Sequence, residues 1–241
     1  MDEGGSPAEW GAVLFWDFDG TLAVREGRWS GALVDAVRRV DPHILLHADQ
    51  LRPLLQNGFP WHQPDVVVEV TTSAAWWARL RPVVMNAYLA AGITQQVANA
   101  AADLLPATYY RPDAWCVLPD AASALERAQR GGYRNVIVSN HAPELPELVR
   151  DLGLSRPVEL SITSAAIGAE KPNPLIFRRA IDLARAWVDR SWMIGDNPVA
   201  DIAGAEAVGL RAALVTPTRP ESATRGLLTT VELIVASNRH F

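Results

Sequence analysis

The chain has 241 residues, of which 49% are hydrophobic and 20% charged, and its net charge at pH 7 is −5. This length suits one or two domains with a proper hydrophobic core, and the composition excludes a disordered or collagen-like chain. The acidic balance argues against a nucleic-acid-binding protein. The single cysteine, Cys116, excludes an intramolecular disulfide and a cysteine-based zinc site, and it is typical of a cytoplasmic protein.

We expect neither a signal peptide nor a membrane span. The first ten residues are acidic and lack a basic region followed by an apolar stretch. The most apolar helical region, residues 74–91, contains Arg79, Arg81 and Pro82. A membrane-spanning helix needs ~20 consecutive apolar residues, so this region does not qualify.

One basic residue differs from all the others. Lys171 is the only lysine among 22 lysines and arginines. An ammonium is a compact charge with three donors, whereas a guanidinium is larger and planar. The lone lysine is therefore either an accident of composition or the mark of a site that needs a compact cation.

The first predicted element is a buried strand, and a long helical segment follows it. The apolar run Val13–Trp16 ends directly at Asp17, which is typical of a strand buried in a parallel sheet. From residue 24 to residue 112 the apolar spacing is helical, and residues 66–68 are the one strand-like interruption. Because this segment is too long for a loop, we predict an inserted helical domain over residues 24–112.

Two helices within this segment have recognisable starts. Thr72 or Ser73 precedes one helical run and Thr94 precedes another, and hydroxyl side chains at these positions cap helices. Pro82 lies inside the first run. Since proline lacks the backbone N–H, we expect it to kink or end that helix.

After residue 112, strands and helices alternate. Apolar runs predict strands at residues 136–138, 158–162, 192–194 and 212–215, with a further one at 231–236, and amphipathic spacing predicts helices at 120–130, 145–152, 175–187 and 199–208. This alternation predicts an α/β fold with a doubly wound parallel sheet. We therefore expect residues 1–23 and 113–241 to form the sheet domain.

Polar side chains follow three of the predicted strands directly. Asp17 and Asp19 follow the first strand, Ser139 and Asn140 follow the second, and Asp196 follows a later one. In open α/β sheets, ligands bind outside the carboxyl ends of the strands, so these side chains should converge in one crevice. Any one of them alone could be an ordinary turn residue. Their repeated placement, together with the lone lysine, favours a functional site.

Four motifs of the chain resemble those of the haloacid dehalogenase (HAD) superfamily, in the family's order and spacing. They are F-W-D-F-D-G-T-L at residues 15–22, V-I-V-S-N at 136–140, G-A-E-K-P-N-P at 168–174, and G-D-N-P-V-A-D at 195–201. The first motif is fairly specific, and the four together form a strong signal.

The resemblance covers residues 11–22 and 113–216. It implies that residues 1–23 and 113–241 form a Rossmann-like catalytic core. The insertion at residues 24–112 falls where the family carries its helical, C1-type cap.

The resemblance also implies a Mg²⁺-dependent phosphatase that acts on a small phosphorylated metabolite. Asp17 would attack phosphorus and form an aspartyl-phosphate, and Asp19 would act first as general acid and then as general base. The Ser139 hydroxyl, the Asn140 backbone N–H and Lys171 would bind the phosphoryl oxygens. Lys171 would also offset the charge of Asp17.

The metal site is implied in the same way. The Asp17 side chain, the Asp19 backbone carbonyl and the Asp196 side chain would hold Mg²⁺, a hard cation that prefers oxygen ligands. Asp201 would act from outside this ligand set, through water or by orienting Lys171.

Several other residues allow two interpretations of their role. His141 follows Asn140 and either lines the crevice or is a capping or surface histidine. Arg25 and Arg28 follow the first motif, where they either contact substrate or form a solvated hinge. Trp76 and Trp77 are adjacent and cannot share one helix face, so one is expected in the core and the other at a domain or partner surface.

Two alternative functions stay open. A phosphomutase of the β-phosphoglucomutase kind shares all these residues and returns the phosphoryl group to a sugar, whereas a non-catalytic binding protein could share the fold alone. A haloacid dehalogenase is disfavoured, because that reaction needs neither a metal nor an acid at Asp19. We expect a monomer or homodimer that binds neither nucleic acid nor membrane. The inserted segment carries no motif that identifies the substrate.

Overall fold

The centre of the molecule is a parallel β-sheet. A computed structural model of the chain describes residues 10–69, 72–216 and 226–237, so the acidic segment before Trp10 lies outside the described residues. The strands in the described residues are β1 (Val13–Trp16), β2 (Ala23–Arg25), β3 (Trp115–Val117), β4 (Arg134–Ser139), β5 (Leu160–Thr163), β6 (Trp192–Gly195) and β7 (Arg211–Leu214). Five of them form one all-parallel sheet in the order β5-β4-β1-β6-β7.

Helices surround this sheet and fill the insertion. They are α1 (Arg28–Val40), α2 (Ala48–Leu51), α3 (Ser73–Ala90), α4 (Gln95–Tyr109), α5 (Ala121–Arg130), α6 (Leu145–Asp151), α7 (Ser164–Ile167), α8 (Pro174–Ala184), α9 (Gly204–Glu206) and α10 (Leu227–Ser237). A π-helical turn, Pro198–Ala203, precedes α9. Within the described ranges, no helix has both the length and the apolar character that a membrane crossing requires.

The central strand β1 buries side chains on both faces of the sheet. Leu14 and Trp16 belong to one apolar cluster, which includes residues of α5, α6 and α10. Val13 and Phe15 belong to the other cluster, which includes residues of α8 and α9. Because successive strand residues point to opposite faces, helices cover both sides, and the predicted doubly wound α/β fold is confirmed.

The helical segment leaves and re-enters the sheet domain through a pair of neighbouring strands. β2 and β3 are antiparallel, with Val24 opposite Cys116, and the sequence pattern did not predict them. The apolar cluster on one face of the sheet continues into helices α1, α3 and α4 of the insertion. At this junction the rings of Phe18 and Trp115 lie with their centroids 5.3 Å apart.

The strand predicted at residues 231–236 is wrong, because these residues belong to helix α10. Their β-branched side chains favour a strand. However, Leu227, Val231, Ile234 and Val235 recur at helical spacing and are buried. This apolar face packs on helix α5, and the tertiary contact overrides the local preference.

Pro82 does not end its helix, contrary to one of the two outcomes expected for it. Helix α3 continues from Ser73 to Ala90, with Leu80 and Val84 buried on either side of the proline. A proline inside a helix costs about 3 kcal/mol, and the packing of these side chains offsets that cost. The predicted cap of this helix is confirmed, since Thr72 Oγ1 accepts a hydrogen bond from the Ala75 N–H at 3.1 Å.

A buried asparagine ties the sheet to the chain segments around it. The Trp16 Nε1–H donates to Asn135 Oδ1 at 3.0 Å. The Asn135 amide donates to the carbonyl oxygens of Leu125 and Pro157 at 2.9 and 3.0 Å. One side chain therefore satisfies three buried polar groups from three parts of the chain.

Asn135→Ala should lower the free energy of unfolding by about 3 kcal/mol, because each buried polar group left without a partner costs about 1–3 kcal/mol. Urea denaturation followed by circular dichroism measures this change. The matched control is Asn86→Ala at an exposed position of α3, for which we expect a change below about 0.5 kcal/mol. A loss below ~1 kcal/mol for Asn135→Ala would contradict the structural role assigned to the network.

Candidate active site

The carboxyl ends of three neighbouring strands meet at one crevice. β1 lies between β4 and β6, and the strand order reverses at this point of the sheet, where α/β folds bind ligands. Asp17 follows β1, Ser139 ends β4 and Asp196 follows β6. A cavity of about 440 Å³ lies there, and all the site residues predicted from the sequence line it: Asp17, Asp19, Ser139, Asn140, Lys171, Asp196 and Asp201.

Lys171 is buried between two carboxylates. Its Nζ donates to Asp17 Oδ1 at 2.7 Å and to Asp201 Oδ1 at 2.5 Å. Burial alone lowers the pKa of Lys171, but the two carboxylates outweigh it and hold the pKa above its ordinary value. The ammonium is therefore charged at neutral pH and lies directly beside Asp17.

Asp17 is held in one orientation by contacts from three directions. Its Oδ1 accepts from the Ser139 hydroxyl at 2.9 Å as well as from Lys171. Its backbone N–H donates to the carbonyl of Ile194 in β6 at 2.9 Å. A carboxylate with these partners is fixed in position, which is what a nucleophile or a metal ligand requires.

The side chain of Asn140 positions Lys171. Asn140 Oδ1 accepts from the Lys171 backbone N–H at 2.6 Å, and the Asn140 amide donates to the Lys171 carbonyl at 3.0 Å. Only the Asn140 backbone was expected to take part in the site, so this contact was missed. The type of residue gave a signal for it, because an asparagine side chain can bond to both the N–H and the C=O of one residue.

Two glycines make room for two of the carboxylates. A Cβ on Gly195 would lie 2.2 Å from Asp201 Oδ2, and a Cβ on Gly20 would lie 2.3 Å from Asp196 Oδ2. Gly20 also has a φ of +96°, which side chains rarely adopt. The glycines of the first and fourth motifs are therefore required by the close approach of backbone and carboxylate.

Asp19 has the properties of a proton donor. Its Oδ1 is buried and accepts no hydrogen bond from the residues that the structure describes. Burial raises the pKa of Asp19 to about 7, against the opposing effect of Arg28, and the carboxylates of Asp17 and Asp196 raise it further. At neutral pH this carboxyl group can both hold and release a proton.

A group of carboxylates at the crevice could hold a metal ion. One oxygen each from Asp17, Asp196 and Asp201 lie within 4.8 Å of one another. Burial raises the pKa of Asp196 to about 6, and repulsion by the carboxylate of Asp17 adds to this rise. A hard divalent cation with oxygen ligands would relieve this repulsion.

The inserted segment contacts the sheet domain beside the crevice. The Val68 N–H donates to the Gly168 carbonyl at 2.8 Å, so the strand-like run at residues 66–68 is an extended contact segment and not a strand. Trp76 is buried, whereas Trp77 donates through Nε1 to Glu144 Oε1 at 2.9 Å. The two tryptophans thus occupy the two environments expected for them.

His141 does not line the crevice and is not a surface residue. Its Nδ1 lies 2.5 Å from the Tyr110 hydroxyl, which also accepts a hydrogen bond from the Ala142 N–H. The Phe18 ring meets the imidazole edge-on at 5.5 Å. Burial lowers the pKa of His141 to about 4, so the ring is neutral.

The two arginines after the first motif differ in their surroundings. Arg25 is buried, pairs with Asp35 at 2.8 Å and lies over the ring of Tyr109 at 5.7 Å. Arg28 is exposed and lines the cavity together with Trp29. Of the two, Arg28 is the one that a ligand in the crevice can reach.

Sequence comparison places this site in a known family. A family model for haloacid dehalogenase-like hydrolases matches residues 12–209, and the chain belongs to this family. It is 33% identical over 156 residues to the haloacid dehalogenase-like hydrolase domain-containing protein 3 of Mus musculus, a match that covers 64% of this chain and 61% of the mouse protein. The chain thus spans about three fifths of that relative's length. It is also 37% identical over 110 residues to the ribulose-1,5-bisphosphate 5-phosphatase of Halopiger xanaduensis, a match that covers 45% and 46% of the two chains.

Solved structures share the fold. The HAD-hydrolase YfnB from Bacillus subtilis, bound to magnesium, superposes with a TM-score of 0.67 at 18% identity and covers 95% of this chain and 100% of its own. The defluorinating L-2-haloacid dehalogenase Rha0230 superposes with a TM-score of 0.69 at 16% identity and covers 93% and 95%. Since a HAD-hydrolase and a haloacid dehalogenase share the fold, the fold alone does not identify the chemistry.

Asp196→Asn should stabilise the metal-free protein in a pH-dependent way. The raised pKa of Asp196 means that its ionised form is less stable in the folded protein than in the unfolded chain. This penalty is fully present above pH ~6 and is lost as the pH falls toward ~4. With a chelator at pH 8 we expect Asp196→Asn to melt ~3 °C or more above the wild type, with a difference that shrinks at lower pH.

Thermal melting by circular dichroism at pH 8, 6 and 4 measures this effect. The control is Asp189→Asn, an exposed residue near the amino end of β6, whose difference from the wild type should not follow this pH course. Equal melting temperatures of Asp196→Asn and the wild type at pH 8 would contradict the interpretation.

Proposed function

We propose that this protein is a Mg²⁺-dependent phosphomonoesterase that acts on a small phosphorylated metabolite through an aspartyl-phosphate. The observation that carries the proposal is the pairing of two carboxyl groups with opposite properties. Asp17 is fixed beside the Lys171 ammonium, whereas Asp19 has a pKa of about 7 and an unpartnered buried oxygen in the part of the chain that the structure describes. Such a pair supplies a nucleophile and a proton donor in one cavity.

The reaction uses this pair twice. In the first step an oxygen of Asp17 attacks phosphorus, the bond between phosphorus and the ester oxygen breaks, and Asp19 gives its proton to that oxygen as the alcohol leaves. In the second step water attacks the phosphorus of the aspartyl-phosphate and Asp19 takes a proton from it. The bond between Asp17 and phosphorus then breaks, and inorganic phosphate leaves.

Three groups are proposed to bind the phosphoryl oxygens. These are the Ser139 hydroxyl, the Asn140 backbone N–H and the Lys171 ammonium, and all three residues line one cavity. In phosphoryl transfer, positioning and charge neutralisation contribute most of the catalysis. Lys171 would neutralise both the attacking carboxylate and the phosphoryl group, because its ammonium already pairs with Asp17.

The residues present fit a magnesium ion. The Asp17 side chain, the Asp19 carbonyl and the Asp196 side chain would hold it, and when bound it would offset the charge of Asp17 and of the phosphoryl group. Both oxygens of Asp201 are already engaged, one by Lys171 and the other by the Asn197 N–H at 3.0 Å. We therefore assign Asp201 to orienting Lys171.

The same carboxyl pair argues against dehalogenation. A halide leaves as a stable anion and needs no proton, whereas an alkoxide needs one. A buried carboxyl that can hold a proton at neutral pH therefore suits ester cleavage. The similarity to a relative named as a phosphatase also supports hydrolysis of a phosphate ester.

The domain organisation is proposed to serve the same reaction. Residues 1–23 and 113–241 would form the catalytic core, and residues 24–112 would form a cap that closes over the substrate. Contacts such as Val68 with Gly168 and Trp77 with Glu144 support this closure, which would exclude water from the site. The single cysteine suits a cytoplasmic enzyme.

Phosphate release from an aryl phosphate tests the proposal. We expect turnover with Mg²⁺ and none with excess chelator. Asp17→Asn should abolish both turnover and phosphoenzyme, whereas Asp19→Asn should reduce turnover by ~10²–10⁴-fold because it removes the acid and base. Trapping of the phosphoenzyme by acid quench distinguishes the two variants. Full activity after exhaustive chelation, or near-wild-type turnover of Asp17→Asn, would contradict the mechanism.

Lys171→Arg tests the need for a compact cation. A guanidinium has the same charge, but it is larger and planar and cannot fit between Asp17 and Asp201 as the ammonium does. Since misplacement by about 1 Å can cost ~10²-fold in rate, we expect a folded variant that loses most of its kcat/KM. Circular dichroism checks the fold. The control is Arg190→Lys, at an exposed position on the surface of the proposed catalytic domain. Equal kcat/KM for Lys171→Arg and the wild type would refute this role.

A further inference from the structure

A second cavity of about 480 Å³ adjoins the candidate active site. Arg28, Trp29 and Trp61 line both this cavity and the one that contains Asp17, so the two spaces meet at these three side chains. None of the three takes part in the reaction proposed above. A substrate held at Asp17 by its phosphoryl group would extend its leaving group toward them.

Among the described residues that line the two cavities, Arg28 is the cation with no ion-pair partner. Four cations line the two cavities, and three of them have carboxylate partners: Lys171 with Asp17 and Asp201, Arg25 with Asp35, and Arg52 with Asp49. The Arg28 side chain has neither a hydrogen bond nor an ion pair with any residue that the structure describes. Its guanidinium is therefore available to a ligand.

The backbone at Arg28 is also unusual. Gly27 and Arg28 have φ values of 65° and 48°, in the left-handed region that favours glycine. The turn is held by its neighbours, since the Arg25 guanidinium donates to the carbonyls of Glu26 and Arg28 at 3.1 and 3.3 Å. Strained residues that the surrounding structure maintains are typical of functional sites. At this position glycine would be the unstrained choice, yet the chain carries an arginine.

The charge of Arg28 acts on the catalytic carboxyls. It lowers the pKa values of Asp19 and Asp196, against the burial that raises both. Arg28 lines the same cavity as these two carboxyls, so one ligand in that cavity can contact all three. The walls beside it are the rings of Trp29 and Trp61, whose centroids are 5.6 Å apart, and they provide an apolar surface.

We propose that Arg28 binds a second anionic group, a carboxylate or a phosphate, on the leaving group of the substrate. Trp29 and Trp61 contact the carbon skeleton between that group and the phosphoryl group. A guanidinium suits this role because it forms two parallel hydrogen bonds to a carboxylate or phosphate. This inference rests on the proposed function, since it places the phosphoryl group at Asp17, and it defines the substrates as phosphomonoesters with a second negative charge.

Binding of two unreactive phosphonates tests the inference. Benzylphosphonate and 4-carboxybenzylphosphonate differ only in a carboxylate, and calorimetry with Mg²⁺ present measures both dissociation constants. We expect the wild type to bind the carboxylated compound more tightly. Arg28→Gln should reduce this preference at least tenfold, and Arg28→Lys should reduce it less because it keeps the charge.

The control variant is Arg38→Gln, an exposed arginine of α1 that lines neither cavity, and its preference should stay within twofold of the wild type. Circular dichroism confirms that each variant is folded. A wild type that binds both phosphonates equally, or an Arg28→Gln variant whose preference is within twofold of the wild type, overturns the inference. These ligands are not hydrolysed, so the binding test does not depend on turnover. Failure of the phosphatase assay would therefore contradict the proposed function, whereas the binding test alone decides the role of Arg28.

Discussion

A buried ammonium can persist in a protein only where carboxylates surround it, and the candidate active site is built on this constraint. Lys171 lies between Asp17, which follows β1, and Asp201, which lies in the π-helical turn after β6. Removal of Lys171 would leave the two carboxylates beside each other without a cation between them. The ion pairs therefore hold the loop that carries Lys171 against the carboxyl edge of the sheet, and the crevice takes its shape from them.

The supporting residues follow from the same requirement. The Asn140 side chain forms two hydrogen bonds to the backbone of Lys171 and so fixes the position of the ammonium. Gly195 leaves the space that the Asp201 carboxylate occupies. In both cases the contribution is to the position of Lys171 and Asp201. The crevice still contains more carboxyl groups than cations, with Asp19 and Asp196 beside the ion pairs. An environment of this kind favours a metal cation and a carboxyl group that keeps its proton.

The sequence was most informative where polar residues directly follow the strands of the parallel sheet. Asp17, Ser139 and Asp196 each follow an apolar strand, and parallel strands necessarily bring their carboxyl ends together, so their convergence could be predicted without a structure. The parallel sheet was predictable for the same reason, since buried strands and amphipathic helices alternate along the chain.

The parts that could not be predicted depend on contacts between distant residues. Helix α10 carries β-branched residues that favour a strand, and only its packing on α5 decides the outcome. The pairing of β2 with β3 joins segments separated by the whole insertion, so no local pattern indicates it. The contact of His141 with Tyr110 and the lack of an ion-pair partner for Arg28 among the described residues likewise depend on the folded structure and have no local sequence pattern.

The pairing of β2 with β3 has a consequence for how such a protein can change. Residues directly opposite in an antiparallel pair lie only about 5 Å apart, and here they are Val24 and Cys116, at the two ends of the insertion. Chain can therefore be added or removed between them while the strand ends, and with them the ion pairs around Lys171, keep their positions. The residues proposed to contact the leaving group and those proposed to carry the reaction can thus diverge at different rates, so that the preferred substrate changes while the proposed reaction stays the same.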